Sequence, residues 1–238
     1  MTRVLTIAGR EFRSYFVSFM GYWVIFMFLV ISGAVFVLQK IVFPGAEADL
    51  EGLTGSMIFI LILLTPMVTM RLIAEERRSG TLELLVSSPV RAHEIVAGKY
   101  LGVLGFYGIM MALTFEFPIV LFLWGHPDFW PTVVGYIGWV LCGAAFLAVG
   151  LFASSLTRDQ ITAAAVTLMI LLFLWLVGFF AGNKSTFAAN AYHQISIYDQ
   201  LEQLSRGVLQ AKSVVFFVGF TLTFLFGTSL VVQSTKGR

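Results

Sequence analysis

The chain has 238 residues, of which 58% are hydrophobic and only 12% charged, with 24 Phe and a mean hydropathy of +0.90. A soluble domain carries about 25% charge, so too little polar surface exists here to solvate a globule, and soluble enzyme folds are excluded. The net charge of +2 comes from positive residues that are scattered outside one loop, with no basic stripe of the kind that binds nucleic acid.

Residues 4–16 form an amphipathic segment. At 100° per residue Val4, Leu5, Ala8, Phe12, Tyr15 and Phe16 share a third of the helix circumference, with Arg3, Thr6, Arg10, Arg13 and Ser14 opposite; Ile7 and Glu11 fit less well. The cationic polar face predicts a helix lying in the membrane interface, the alternative being an ordinary flank that supplies positive charge. Six apolar runs follow, at 17–38, 53–70, 100–123, 132–156, 161–181 and 214–232, each near the ~20 residues that cross a bilayer. The first is too long for a cleaved signal peptide and lacks a small-residue cleavage site, so it reads as a retained span. The expected fold is an all-α bundle of six membrane spans with an N-terminal interfacial helix. Gly98, Gly102 and Gly105 at the start of the third span, and Gly135, Gly138 and Gly143 in the fourth, suit close helix approach, although glycine is common in membrane helices generally.

Orientation follows from the asymmetry of Lys and Arg between the two sides. One side receives Arg3, Arg10, Arg13, Arg71, Arg77, Arg78, Arg91, Lys99, Arg158, Lys236 and Arg238, eleven of the 15 positive residues; the other has Lys40, Lys184, Arg206 and Lys212. Both termini are therefore expected in the cytoplasm, with 182–213 as an extracytoplasmic loop. Within that loop Ile197, Leu201, Leu204 and Val208 share one face of a predicted helix.

Self-contained catalysis has little to rest on. His93, His126 and His193 fall in or beside loops, the lone Cys142 allows no disulfide or thiolate cluster, and neither H-E-x-x-H nor G-x-x-x-x-G-K-[ST] occurs. No metal and no cofactor is expected in this chain. One carboxylate, Glu116, lies within a span about eight residues from its outer end. A carboxylate there is a candidate pathway group, or else it snorkels or is structural; Pro118 frees a backbone carbonyl one turn earlier and is expected to hydrate the site.

The loop after the second span is the most informative segment. The cluster 75–78 marks emergence into water, Gly80 can end a helix, and Leu82, Leu84, Leu85 and Val86 give a short apolar helix facing the cytosol. Ser88 followed by Pro89 is an N-cap and first-turn pair that would restart the helix into the third span. Such a projecting helix needs a partner, or else rests on lipid headgroups.

The pattern Ala74-x-Glu76-x-x-x-Gly80-Thr81-x-Glu83 followed by Pro89-Val90, with Arg10-Glu11-Phe12 before the first span and Arg206-Gly207-Val208 before the sixth, resembles the permease subunits of ABC-2-type ABC transporters. The chain is most similar there to the small permeases associated with bacterial gliding motility. The resemblance implies that 74–90 holds a coupling helix docking on an ATPase subunit, with Glu76 and Glu83 as polar anchors and Leu84, Leu85 and Val86 packing, between Gly80-Thr81 and Pro89-Val90. It implies that 4–16, with Arg3, Arg10 and Arg13, is the connecting helix touching the same ATPase, and that short helices in 182–213 cap the pathway. It further implies two ATPase chains carrying ATP and Mg, a second permease chain, identical or related, and a place in the bacterial cytoplasmic membrane, with export the commoner direction. Two alternatives stand beside this. One is an ABC-type complex that transmits force to a partner with a periplasmic domain. The other is a homo-oligomeric channel or scaffold with no ATPase.

Overall fold

The computed structural model describes residues 2–39, 51–81, 91–124, 128–181 and 196–236, and the regular elements among them are all helices. In chain order they are α1 (Thr2–Val17), α2 (Phe19–Val37), α3 (Glu51–Thr69), α4 (Ala74–Arg78), α5 (Ala92–Leu113), α6 (Glu116–Trp124), α7 (Phe129–Leu156), α8 (Gln160–Ala181), α9 (Ile197–Ser205) and α10 (Ala211–Lys236). Among the described residues, five segments are long and apolar enough to cross a membrane, namely Phe19–Val37, Leu53–Arg78, Ala92–Leu123, Phe129–Leu156 and Ala211–Ser234; where the sequence predicts the span 161–181, α8 has a shorter apolar stretch at Gln160–Leu176. The fold is a polytopic helical bundle.

Several boundaries differ from the sequence expectation, each for a local reason. Ser18 separates α1 from α2: its backbone is extended (φ −90°, ψ 134°), and its hydroxyl accepts from the Met20 N–H at 3.3 Å, capping the second helix. The helix into the third span starts at Ala92, with Arg91 as N-cap and the Glu94 carboxylate accepting from the Arg91 N–H at 2.8 Å. Arg91 itself lies outside the helix, so α5 does not continue from a start at Ser88–Pro89, which lie outside the described residues. The expected turn at 124–131 is shorter, because Trp130 and Pro131 join the first turn of α7, where a missing N–H costs nothing.

The third span is broken at Thr114–Phe115 into α5 and α6. Pro118 has no N–H to give the Thr114 carbonyl. That carbonyl accepts instead from the Phe117 N–H at 3.0 Å, in a tighter turn, and from the Tyr136 hydroxyl of α7 at 2.6 Å, so protein groups satisfy it where hydration was expected. Thr65, Thr69, Thr167 and Thr228 satisfy their hydroxyls within their own helices, each donating to the carbonyl four residues earlier.

α7 is the centre of the bundle, touching α3, α5, α8, α9 and α10, with Trp139, Phe146 and Leu151 fully buried on it. At the end where α7 begins, α9 lies across it, burying Ile197, Leu201 and Leu204. The Ser205 and Thr54 hydroxyls lie 2.6 Å apart, and Ser213 donates to Gln200 Oε1 at 2.8 Å, tying α9 to the starts of α3 and α10. Gly207, at φ +78°, ends this element, so Val208 leaves the apolar face and stands half exposed.

At the other end α1 packs along the start of α5. A Cβ at Gly98 would come within 2.7 Å of Ile7, and one at Gly102 within 2.6 Å of Glu11. The G-x-x-x-G spacing therefore brings the amphipathic helix onto α5 at backbone distance.

Candidate functional site

Where α1, α4 and α5 converge, Lys99 is buried, its side chain 1% exposed. A buried ammonium persists only when its protons are matched by acceptors and its charge is paired. Lys99 Nζ lies 2.6 Å from Glu11 Oε1 on α1 and 2.8 Å from Glu76 Oε1 on α4, and donates to the Leu72 carbonyl at 2.7 Å. Three donors thus meet three acceptors from three different segments. Arg10 adds a looser contact, 3.5 Å from Glu76 Oε1 and 4.0 Å from Glu11 Oε1; its side chain is 59% exposed, so solvent screens most of that attraction. Glu76 Oε2 is buried and has no hydrogen-bond partner among the described residues.

The turn that carries Glu76 is fixed from behind by α7. Ser154, fully buried, accepts from the Ile73 and Ala74 N–H groups at 3.1 and 3.0 Å and donates to the Met70 carbonyl at 3.1 Å. One hydroxyl therefore satisfies three backbone groups left over where α3 gives way to α4. Arg77 donates to the Ser155 carbonyl at 2.7 Å. On the α1 side the Tyr15 hydroxyl donates to the Val68 carbonyl at 2.9 Å, and the Arg71 guanidinium lies 4.7 Å from the centre of the Tyr15 ring while donating to Ser18 at 3.2 Å. Burial pushes the Tyr15 phenol well above its usual range, so it stays a donor. A polar cavity of about 510 Å³ opens beside the ionic group, lined also by Ser14, Glu75 and Thr81.

Of the residues singled out in the sequence, Glu76 and Arg10 come together in this cluster. Thr81 stands at its edge, exposed, with its hydroxyl 2.8 Å from that of Ser79. Gly80 ends α4 with φ +72°, a conformation that disfavours any side chain. Arg3 and Arg13 are exposed on α1. Glu116, exposed on the first turn of α6, belongs to a different part of the molecule. Glu83, Leu84, Leu85, Pro89 and Val90 lie outside the described residues.

The family model for ABC-2 family transporter proteins matches residues 50–206. The chain belongs to this family. It is a permease subunit of an ABC transporter, the membrane component of a complex whose ATPase is a separate subunit. No curated protein matches the chain.

Sequence reasoning about this ABC-2 permease missed Lys99, Glu11, Ser154 and Ser155. A signal existed for Glu11, since it and Ile7 are the residues that fit the amphipathic pattern of α1 least well. Their positions face Lys99 and Gly98 on α5, so the misfit marks a second, protein-facing stripe. Lys99 counted only as one more positive charge at a membrane boundary. The serines carried no sequence mark that separates a backbone-capping hydroxyl from an ordinary one.

Proposed function

We propose that this permease is half of an ATP-driven exporter in the bacterial cytoplasmic membrane, with the α1–α4–α5 end in the cytoplasm and 74–90 forming the segment that docks on the ATPase. A second permease chain, identical or related, and two ATPase chains holding ATP and Mg complete the complex. The observation that carries this reading is the Glu11–Lys99–Glu76 cluster. It joins the root of the proposed docking segment to α1 and α5, while Ser154 and Arg77 join the same root to α7. A push on 74–90 is thereby delivered to three helices at once. Nucleotide binding drives transport if the closed ATPase pair favours one arrangement of these helices over another, since only differential affinity shifts a population. The sidedness is supported by the positive residues of α1, of the α3–α5 connection and of the α7–α8 link. Gliding motility is one setting in which such a complex would act, given the resemblance to those permeases.

The test is co-purification with the ABC ATPase encoded beside this chain, comparing wild type with a Glu83→Arg, Leu84→Asp double variant. Capture by wild type and loss from a variant that still inserts in the membrane supports the docking assignment. Capture of no ATPase by either form overturns it and favours the channel or scaffold.

A further inference from the structure

An apolar groove of about 720 Å³ runs between α5–α6 and α7, from Gly108 to Phe122 along one wall and from Phe129 to Leu141 along the other. The break at Thr114–Phe115, between α5 and α6, lies along the first wall. Gly108 leaves open space where a Cβ would be. At 1.5 Å per helical residue the longer wall extends about 20 Å, comparable with one leaflet of a ~30 Å hydrocarbon core plus its headgroup margin.

Among the described residues the lining holds two polar side chains, and both spend their hydroxyls inside the protein. Thr132 donates to the Asp128 carbonyl at 2.9 Å, and Tyr136 to the Thr114 carbonyl at 2.6 Å. An occupant with hydrogen-bonding needs would leave water and find no partner. A hydrocarbon chain sacrifices nothing and gains dispersion contacts with Met111, Phe115, Ile119 and Ile137.

Charge narrows the choice further. No Lys or Arg occurs from residue 100 to 157, whereas both acids in that stretch, Glu116 and Asp128, are exposed; Arg206, brought near the start of α7 where Gly207 approaches Pro131, is paired with Glu202 at 2.6 Å. Asp128 immediately precedes Phe129 at the end of the groove, and Glu116 follows Phe115 in its wall. We propose that this groove seats one acyl chain of a bilayer lipid whose headgroup carries a primary ammonium group, able to donate to Asp128 at the mouth.

The test uses the full chain reconstituted in phosphatidylcholine vesicles doped with phosphatidylethanolamine or phosphatidylglycerol bearing the same diazirine-labelled acyl chain. Photo-insertion sites are then mapped by mass spectrometry. The expected result is labelling concentrated on 105–141, several-fold stronger with the ethanolamine lipid, and lowered at least fivefold in an Ala112→Trp, Val133→Trp variant that fills the groove. Asp128→Asn should erase the headgroup preference while keeping the chain label, and this arm stands even if the tryptophan variant misfolds. Labelling spread evenly over the exposed faces of α2 and α10, equal labelling by the two lipids in wild type, or a Val140→Cys variant that disulfide-links two copies through the groove would each overturn the proposal.

Discussion

Replacing Lys99 by Met would remove the ammonium from between Glu11 and Glu76 and leave two mostly buried carboxylates facing each other. Removing one partner of a buried ionic group costs about 3–5 kcal/mol, because the remaining charge keeps its desolvation penalty. Lys99→Met should therefore lower the melting temperature of the detergent-solubilised protein well beyond an exposed control such as Arg78→Met. Adding Glu11→Gln to Lys99→Met should recover part of the loss by removing the like-charge contact. A Lys99→Met protein as stable as the control would mean that the cluster does not hold the node together. Tyr136→Phe is a simpler case. It removes one of the two donors to the Thr114 carbonyl and leaves the Phe117 N–H, a loss of about 0.5–1.5 kcal/mol visible in the same melting experiment. An unchanged melting temperature would show that the broken span needs no such support.

At the scale of elements, α1 depends on two glycines that bring α5 close. Gly102→Leu would place a side chain where Glu11 and the Ala8 carbonyl already sit, so α1 should lift away and take Glu11 from Lys99. Hydrogen exchange would read this as lost amide protection along 4–16, with the spans unchanged; protection equal to wild type would contradict the docking. The amphipathic pattern of α1 was legible in the sequence because its period is strong, and five of the six expected spans return as helices long and apolar enough to cross a membrane because nothing else explains long uncharged runs. What the sequence left hidden were places where a tertiary partner decides. The hydroxyl that donates to the Thr114 carbonyl comes from a tyrosine 22 residues away, and the burial of Lys99 depends on acids from two other segments. Glycines at 98 and 102 suggested close packing, yet nothing local said that their partner would be α1 rather than another span. Val208 failed to continue the face of α9 because Gly207, at φ +78°, turns the chain first.

For the whole molecule, sidedness and force transmission are the properties to test. The lone Cys142 is fully buried, so it should stay silent towards maleimides and serve as a background for single reporters. Ser79→Cys, next to α4, should react with an impermeant maleimide only after the cells are opened, and Gln210→Cys, before α10, should react in intact cells. The reverse pattern would invert the bundle and place the proposed docking segment outside. The most direct measurement is ATP turnover by the partner ATPase, alone and in complex with wild-type or Lys99→Met permease, in the same membranes. The account predicts that both complexes assemble, that wild type changes the turnover of the ATPase, and that Lys99→Met loses this influence because the docking segment no longer moves with α1 and α5. A Lys99→Met complex that assembles and still alters turnover as wild type does would contradict it.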